Sequence, residues 1–246
     1  MSAPGHLAHS RLPIAWEAEL RNGGVDIDCL YRETESVYGA AGDVLAPRRE
    51  SLFRAFHETA LDSVRVVILG MDPYPNDLLT SPPTWTADGL AFSSRGFPPQ
   101  SALRTLLKEI GYSRGNYPRD GDLTSWAQSG VLLLNSALTV DSSDPAGQRS
   151  HHLRRWRQLI CQTIQAVSTR IDSSTGSVTP TAFLLLGTDA EYFAHAIIHA
   201  SNHFILEPGH PANRRRWPNP GAKDPFDEIN GFLDPGRSNS VQWRLP

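Results

Sequence analysis

Four short runs of apolar residues are spaced along the chain, and a turn or polar residue follows each of them. They cover residues 64–69, 131–134, 182–186 and, more weakly, 203–206. The first three are rich in valine, isoleucine and leucine and show no alternation of apolar and polar positions. That pattern is typical of strands buried on both faces of a parallel sheet. We therefore predict four strands.

Apolar residues at helical spacing fill the stretches between and around these runs. The pattern predicts helices over residues 101–110, 153–167, 189–199 and 225–233. A further helical stretch begins at Leu12, and its predicted buried side consists of Trp16, Leu20, Cys29 and Leu30.

Pro47 is predicted to start another helix, because its fixed φ suits the first helical position. Leu52, Phe53 and Phe56 follow it at helical spacing.

Strands that alternate with helices indicate an α/β domain. We predict a three-layer α/β/α fold around a central, four-stranded, mostly parallel sheet. Residues 1–11 are interpreted as a flexible tail and residues 12–246 as a single catalytic domain. The polar stretch at residues 168–180 is interpreted as a surface loop. Ligands of such sheets bind outside the carboxyl ends of the strands, so the residues after each run are the candidates for chemistry.

Composition narrows the functional classes. A length of 246 residues suits one domain, and 39% hydrophobic with 20% charged residues is ordinary for a globular protein. No apolar stretch is long enough to span a membrane, and the first ten residues lack the apolar region of a secretory signal. Cys29 and Cys161 are too few for a disulfide framework or a four-cysteine metal or iron–sulfur site. We expect an intracellular protein, in the cytoplasm and associated with the nucleoid.

The net charge of −3 does not by itself indicate a nucleic-acid-binding protein. Such a protein with this charge balance must concentrate its positive charge locally. The one basic cluster that stands out is the consecutive Arg214, Arg215 and Arg216, within a stretch rich in proline, glycine and asparagine.

Polar and aromatic residues follow the predicted strands. Asp72 and Tyr74 lie in a proline-rich loop after the first strand, Asn135 ends the second, and His210 follows the fourth. Taken singly, each has an ordinary structural explanation, such as a loop cap or a core side chain. Together with Phe92 they describe a pocket for a flat, polar heterocycle. The residues alone therefore predict a site for a ligand that resembles a nucleobase.

Six sequence motifs, in a fixed order, carry a resemblance to a known family. They are VVILGMDPYP at 66–75, GLAFS at 89–93, PPQSALR at 98–104, GVLLLN at 130–135, Ser150-His151 with Trp156, and His210-Pro211. The chain resembles the family 1 uracil-DNA glycosylases over residues 16–243. One such motif alone is weak, but a full set in the family's order is specific.

The resemblance implies an enzyme that flips deoxyuridine out of DNA and hydrolyses its N-glycosidic bond, without metal or cofactor, in base excision repair. It implies that Asp72 and His210 are the catalytic residues. Asn135 would read the edge of uracil, Phe92 would stack on it, and Tyr74 would exclude the methyl group of thymine. Met71 would line the same pocket.

The resemblance also implies DNA contacts in three segments. The residues concerned are Pro98, Pro99, Ser101, Ala102, His151, Pro211, Ala212, Asn213, Arg214, Arg215 and Arg216. The expected partner is uracil-containing DNA, single- or double-stranded, and a monomer is the expected state.

Several positions depart from the family pattern. Met71 and Pro75 replace glutamine and histidine in the loop after the first strand. Ala212 and Asn213 replace Ser-Pro, and Ala102 replaces a phosphate-binding serine for which Ser101 is the candidate substitute. The family's intercalating leucine is replaced by Arg214, for which we consider two roles, a wedge in the base stack or a clamp on phosphate.

Alternatives to a repair enzyme remain open at this point. The GMDPYP loop and the His-Pro-Ala sequence resemble the poxvirus branch of the family, whose members also serve in replication. A DNA-binding processivity module with weak catalysis is therefore one alternative, and a sister glycosylase with another base specificity is a second. We also expect only weak inhibition by the phage uracil-DNA glycosylase inhibitor protein, because an arginine would sit unpaired in the apolar pocket that receives the leucine.

Overall fold

A computed structural model of the chain describes residues 9–81, 84–94, 99–213, 217–218, 223–234 and 240–245. The strands are β1 Leu45–Ala46, β2 Val66–Gly70, β3 Val131–Asn135, β4 Val140–Asp141, β5 Ala182–Leu185 and β6 Phe204–Leu206. The α-helices are α1 Ile14–Asn22, α2 Ile27–Ala41, α3 Arg54–Glu58, α4 Ser101–Glu109, α5 Thr124–Gln128, α6 Arg149–Ser168, α7 Thr188–Glu191 and α8 Pro225–Leu233. Short 3₁₀ turns occupy Gly42–Val44, Arg49–Ser51, Leu61–Ser63, Tyr192–Ala196 and Ala200–Asn202.

The central sheet has the strand order β3-β2-β5-β6, and all three neighbouring pairs are parallel. β2, β3 and β5 are buried along their whole length, as their unbroken apolar runs predict. Helices α3 and α5 pack against β3, and α8 packs against β5 and β6. The predicted α/β class and the four-stranded parallel sheet are confirmed.

The N-terminal region differs from the prediction. The helical stretch is broken at Gly23 and Gly24, and α2 restarts with Asp26 as its cap, accepting a hydrogen bond from the backbone N–H of Cys29 at 2.9 Å. This restart changes the phase of the helix, so Ile27 and Leu30 are buried while Cys29 is only half-buried.

The predicted tail ends earlier than residue 11. Residues 1–8 lie outside the described part of the chain. His9, however, donates its backbone N–H to the carbonyl of Glu50 at 2.7 Å and accepts from Phe53 at 2.9 Å. Its ring also stacks on that of His57.

Two predicted helices are wrong in detail. Pro47 starts no α-helix, because Arg48 after it is extended, with a ψ of 147°; a 3₁₀ turn follows at Arg49–Ser51, and the next α-helix begins at Arg54. The stretch at 189–199 is a single α-helical turn followed by a 3₁₀ turn rather than one helix.

Residues 171 and 178 form an isolated bridge within the predicted loop at 168–180. Among the described helices, none combines the length and apolar character that crossing a membrane requires.

Candidate active site

The carboxyl ends of β2 and β3 lie side by side, with Gly70 paired in register with Asn135. The loop that follows β2 is fastened to the loop that follows β3. Ser136 donates to the carbonyl of Gly70 through its backbone N–H at 2.9 Å and its hydroxyl at 2.8 Å, and Ala137 donates to the carbonyl of Met71 at 3.0 Å. These bonds place Asp72 at the edge of the sheet, as its position in the sequence predicts.

Asp72 is a half-buried carboxyl group in this loop. Burial raises its pKa to about 6, although the positive charge of Arg149 opposes the rise. A carboxylate with a raised pKa at the carboxyl edge of a parallel sheet is a candidate catalytic group.

Asn76 anchors the far end of the same loop, a role that sequence reasoning missed. Its side chain is buried and donates to the backbone carbonyl of Asp43 at 2.9 Å. Its own N–H donates to the hydroxyl of Ser142 at 2.8 Å. The loop that carries Asp72 is therefore fixed at both ends.

Phe92 is buried against the end of β2. An added Cβ on Gly70 would lie 2.9 Å from the Phe92 ring and 2.6 Å from Oδ1 of Asn135, so the ring and the carboxamide both pack closely against Gly70. Phe92 has a φ of 63°, which a non-glycine residue rarely adopts. Such a backbone conformation persists only where its surroundings hold it in place.

A buried ion pair supplies part of that hold. Arg54 of α3 lies 2.7 Å from the Asp88 carboxylate, and both side chains are less than a tenth exposed. Asp88 also accepts from the backbone N–H of Leu90 at 3.2 Å and from the hydroxyl of Ser93 at 2.8 Å. The segment that presents Phe92 is thus fixed at both ends. No local sequence pattern indicates this ion pair, because its two residues are 34 positions apart.

Asn135 is the last residue of β3, and Oδ1 of its carboxamide lies beside Gly70. Its residue is 8% exposed, and a narrow cavity lined by Pro73, Gly89, Leu138 and others reaches it. A carboxamide at this place can donate and accept at once, which suits the edge of a heterocyclic ring.

His210 approaches from the segment after β6. Its ring packs against Gly187, where an added Cβ would lie 2.9 Å from the ring, and its centroid is 6.4 Å from that of Phe92. The backbone N–H of Ala212 donates to Nδ1 at 3.1 Å. Because Nδ1 accepts a hydrogen bond, the ring proton of neutral His210 lies on Nε2. Burial and the nearby charge of Arg149 both lower the pKa of His210, which favours the neutral ring.

Tyr74 and Met71 are half-buried. The Tyr74 ring packs against Ala46, Ala87 and Val140, and burial raises the pKa of its hydroxyl. The backbone carbonyl of Met71 is used by the bond from Ala137.

The structure places the predicted DNA-contact residues unequally. Ser101 and His151 are exposed, as are Ala212 and Asn213, whereas Pro99 and Pro211 are buried. The side chain of Ala102 is packed in the core, so the prediction that it faces DNA is wrong for the side chain. Pro98, Arg214, Arg215 and Arg216 lie outside the described residues.

Two further observations bear on the kind of site. Among the described residues, no cluster of three or more histidine, cysteine, aspartate or glutamate side chains is arranged to hold a metal ion. A groove of about 530 Å³ is lined by Glu35, Arg48, Trp85 and their neighbours, none of which directly follows a strand of the central sheet. The arrangement at the strand ends, rather than groove size, therefore defines the candidate site.

Comparison with known proteins shows the family of the chain. Residues 56–234 match the model of the uracil DNA glycosylase superfamily. Uracil-DNA glycosylase of Sinorhizobium medicae is 35% identical over 242 residues, which cover 96% of this chain and 92% of that protein. The Rhizobium meliloti protein of the same name is 37% identical over 83% of this chain and 78% of its own length.

Solved structures give the same fold. Mimivirus uracil-DNA glycosylase superposes with a TM-score of 0.77 at 21% identity, over 97% of this chain and 89% of that one. A mimivirus variant in complex with UGI gives a TM-score of 0.78 at 20% identity, over 97% and 91% of the two chains. The family model matches more than half of the chain, and the two relatives are 35% and 37% identical to it over most of its length. The chain therefore belongs to the uracil DNA glycosylase superfamily.

Proposed function

We propose that this uracil-DNA glycosylase releases uracil from DNA by hydrolysing the N-glycosidic bond of deoxyuridine, with Asp72 and His210 as its catalytic residues. The observation that carries the proposal is the meeting of four side chains at one edge of the sheet. Phe92 and Asn135 pack closely against Gly70, and the ring centroids of Phe92 and His210 are 6.4 Å apart. Asp72 follows Gly70 by two residues at the same edge of the sheet. The relatives named uracil-DNA glycosylase support the same reaction.

Recognition of the base rests on a stacking face and an edge reader. The Phe92 ring offers the face, and the buried carboxamide of Asn135 pairs with the N3–H and O4 edge of uracil. In cytosine an amino group replaces the accepting O4, so it would face the donor N–H of the Asn135 carboxamide. A buried polar group would then be left unpaired. Tyr74, in the loop just after Asp72, is proposed to exclude the methyl group of thymine by contact.

Breaking the glycosidic bond produces an anion and a cation, and the site has one group that stabilises each of them. The electron pair of the C1′–N1 bond leaves with uracil, which becomes an anion, while the sugar becomes an oxocarbenium ion. His210 donates its Nε2–H to the uracil O2 that gains negative charge, and the Asp72 carboxylate faces the cationic sugar. Water adds to C1′ and passes a proton to Asp72. Such preorganised charge stabilisation is commonly the largest single contribution to catalysis.

The neutral state of His210 fits this role. Since Ala212 donates to Nδ1, the Nε2–H points away from the backbone and is available to a ligand. An imidazolium would break the bond from Ala212, because two donors would then face each other.

DNA binding is proposed to involve exposed residues around the site. Ser101 and His151, at the starts of α4 and α6, are exposed, as are Ala212 and Asn213, and these residues are proposed to contact phosphates. Arg214, at the position of the family's intercalating leucine, is proposed to act as the wedge that holds the flipped state, with phosphate clamping as the competing role.

The same substitution bears on inhibition. A mimivirus relative has been solved in complex with UGI. We propose that this chain binds that inhibitor more weakly, because an arginine placed in an apolar pocket loses its hydration without gaining a partner.

The test is base release from oligonucleotides that carry uracil, thymine, hypoxanthine or no lesion, in single- and double-stranded form. We expect release of uracil alone, with an abasic site left behind. His210→Leu should reduce the rate at least about a hundredfold. Efficient release of another base would favour the sister glycosylase, and DNA binding without release would favour the processivity module. Near-normal excision by His210→Leu would contradict the assignment of His210.

A further inference from the structure

Arg149 is a charged residue that neither the sequence motifs nor the proposed mechanism uses. It is the first residue of α6, and its side chain is about one-third exposed. Its guanidinium forms an ion pair with Asp189 at the start of α7, through Nη2 and Oδ2. Nε of the same group is buried and has no hydrogen-bond partner among the described residues. A buried donor left without a partner calls for an explanation.

The anchor of Arg149 belongs to the turn that supports His210. Asp189 is two residues beyond Gly187, and the His210 ring packs directly against the Cα of Gly187. The ion pair thus holds the guanidinium at the carboxyl edge of the sheet, beside the catalytic groups. Consistent with that position, the charge of Arg149 acts on both Asp72 and His210 and lowers the pKa of each.

The geometry points to Arg149 as a positioning residue of the active site: fixed by Asp189, its cation keeps Asp72 a carboxylate and His210 a neutral imidazole. This inference deepens the proposed function and rests on it. The mechanism needs both states at once, and burial favours the neutral His210 ring but opposes the Asp72 carboxylate. A nearby cation favours a carboxylate and disfavours an imidazolium, so one arginine serves both needs.

Other charged groups near this edge act elsewhere. His151 interacts with Arg155 on its own helix, and Glu207 acts on Glu191 of α7. Among the described residues, Arg149 is the side chain whose charge lowers the pKa of both catalytic groups.

The first test is the pH profile of single-turnover uracil release from single-stranded DNA, for wild type and four variants. Arg149→Gln should move the midpoint of the acid limb upward by about one unit, so that its rate falls about fivefold more at pH 6 than at pH 8. Arg149→Lys keeps the charge and should keep the midpoint. Asp189→Asn frees the guanidinium and should move the midpoint in the same direction by a smaller amount.

The control is Arg154→Gln, which removes the same charge from an exposed position on the same helix. It should leave the midpoint unchanged. If Arg149→Gln instead lowers the rate by one factor at every pH, the residue contacts DNA or supports the fold, and the inference is wrong.

A second readout does not depend on activity. The ring of His210 is titrated by NMR in the free protein and assigned by its loss in His210→Leu. Arg149→Gln should raise the His210 pKa while Arg154→Gln leaves it unchanged, and an unmoved His210 pKa overturns the inference. Absence of uracil release by wild type would contradict the proposed function instead, so the two failures are distinguishable.

Discussion

Replacing Asp72 with asparagine removes a buried charge without changing the size of the side chain, and it should make the protein more stable and almost inactive. The pKa of Asp72 is about 6 in the folded chain, against an ordinary value of 3.8. Each unit of difference corresponds to about 1.4 kcal/mol. The ionised carboxylate therefore lowers the free energy of unfolding by about 3 kcal/mol at pH 8.

The sign follows from the direction of the shift. A raised pKa means that the folded state binds the Asp72 proton more tightly than the unfolded state does. This contribution to stability is fully present below about pH 4 and is lost as the pH rises through about 6. Asparagine is neutral throughout. The variant's advantage should thus be about 3 kcal/mol at pH 8, about half of that at pH 5, and close to zero near pH 3.

Urea unfolding of both proteins at pH 8 and pH 5 measures this difference, and single-turnover excision measures the loss of activity. We expect Asp72→Asn to reduce the rate at least about a hundredfold. Asp77→Asn, at an exposed carboxylate of the same loop, should change neither quantity. An Asp72→Asn protein that is no more stable than wild type at pH 8 would refute the reasoning that burial raises this pKa.

Further predictions concern the space beside Gly70 and the loop after His210. Gly70→Ala places a methyl group 2.6 Å from Oδ1 of Asn135 and should reduce kcat/KM at least about tenfold, whereas Gly39→Ala, with nothing within 4 Å, should have no effect. Equal activity of the two variants would show that Gly70 does not border the substrate. Arg214→Ala should weaken excision from duplex DNA more than from single strands, and equal losses would favour a phosphate clamp. Inhibition of wild type by UGI should be poor and should improve in Arg214→Leu, so stoichiometric inhibition of wild type would contradict the role given to Arg214.

The sheet was predictable from the sequence because strands that are buried on both faces appear as unbroken runs of apolar residues. The runs at 64–69, 131–134 and 182–186 each lie within two residues of an observed strand. Because ligands bind at the carboxyl ends of such strands, the positions of Asp72 and Asn135 just after two of the runs predict that they are site residues.

Other features depend on contacts between residues far apart in the sequence, and no local sequence pattern indicates them. The ion pair of Arg54 with Asp88 joins positions 34 residues apart. The pairing of Arg149 with Asp189 joins positions 40 apart, and neither residue lies in a motif that draws attention to it. The pairing of β1 with β4, nearly a hundred positions away along the chain, likewise has no local signal in the sequence before Pro47.

The most direct test of the central claim is a crystal structure of Asp72→Asn bound to single-stranded DNA that contains one deoxyuridine. We expect the uracil to lie flat against the Phe92 ring, with the Asn135 carboxamide within about 3.2 Å of its N3 and O4 and with Nε2 of His210 at a similar distance from its O2. A uracil bound at any other place, or a site closed by the side chains of Phe92 and Asn135 packed against each other, would contradict the assignment of these residues.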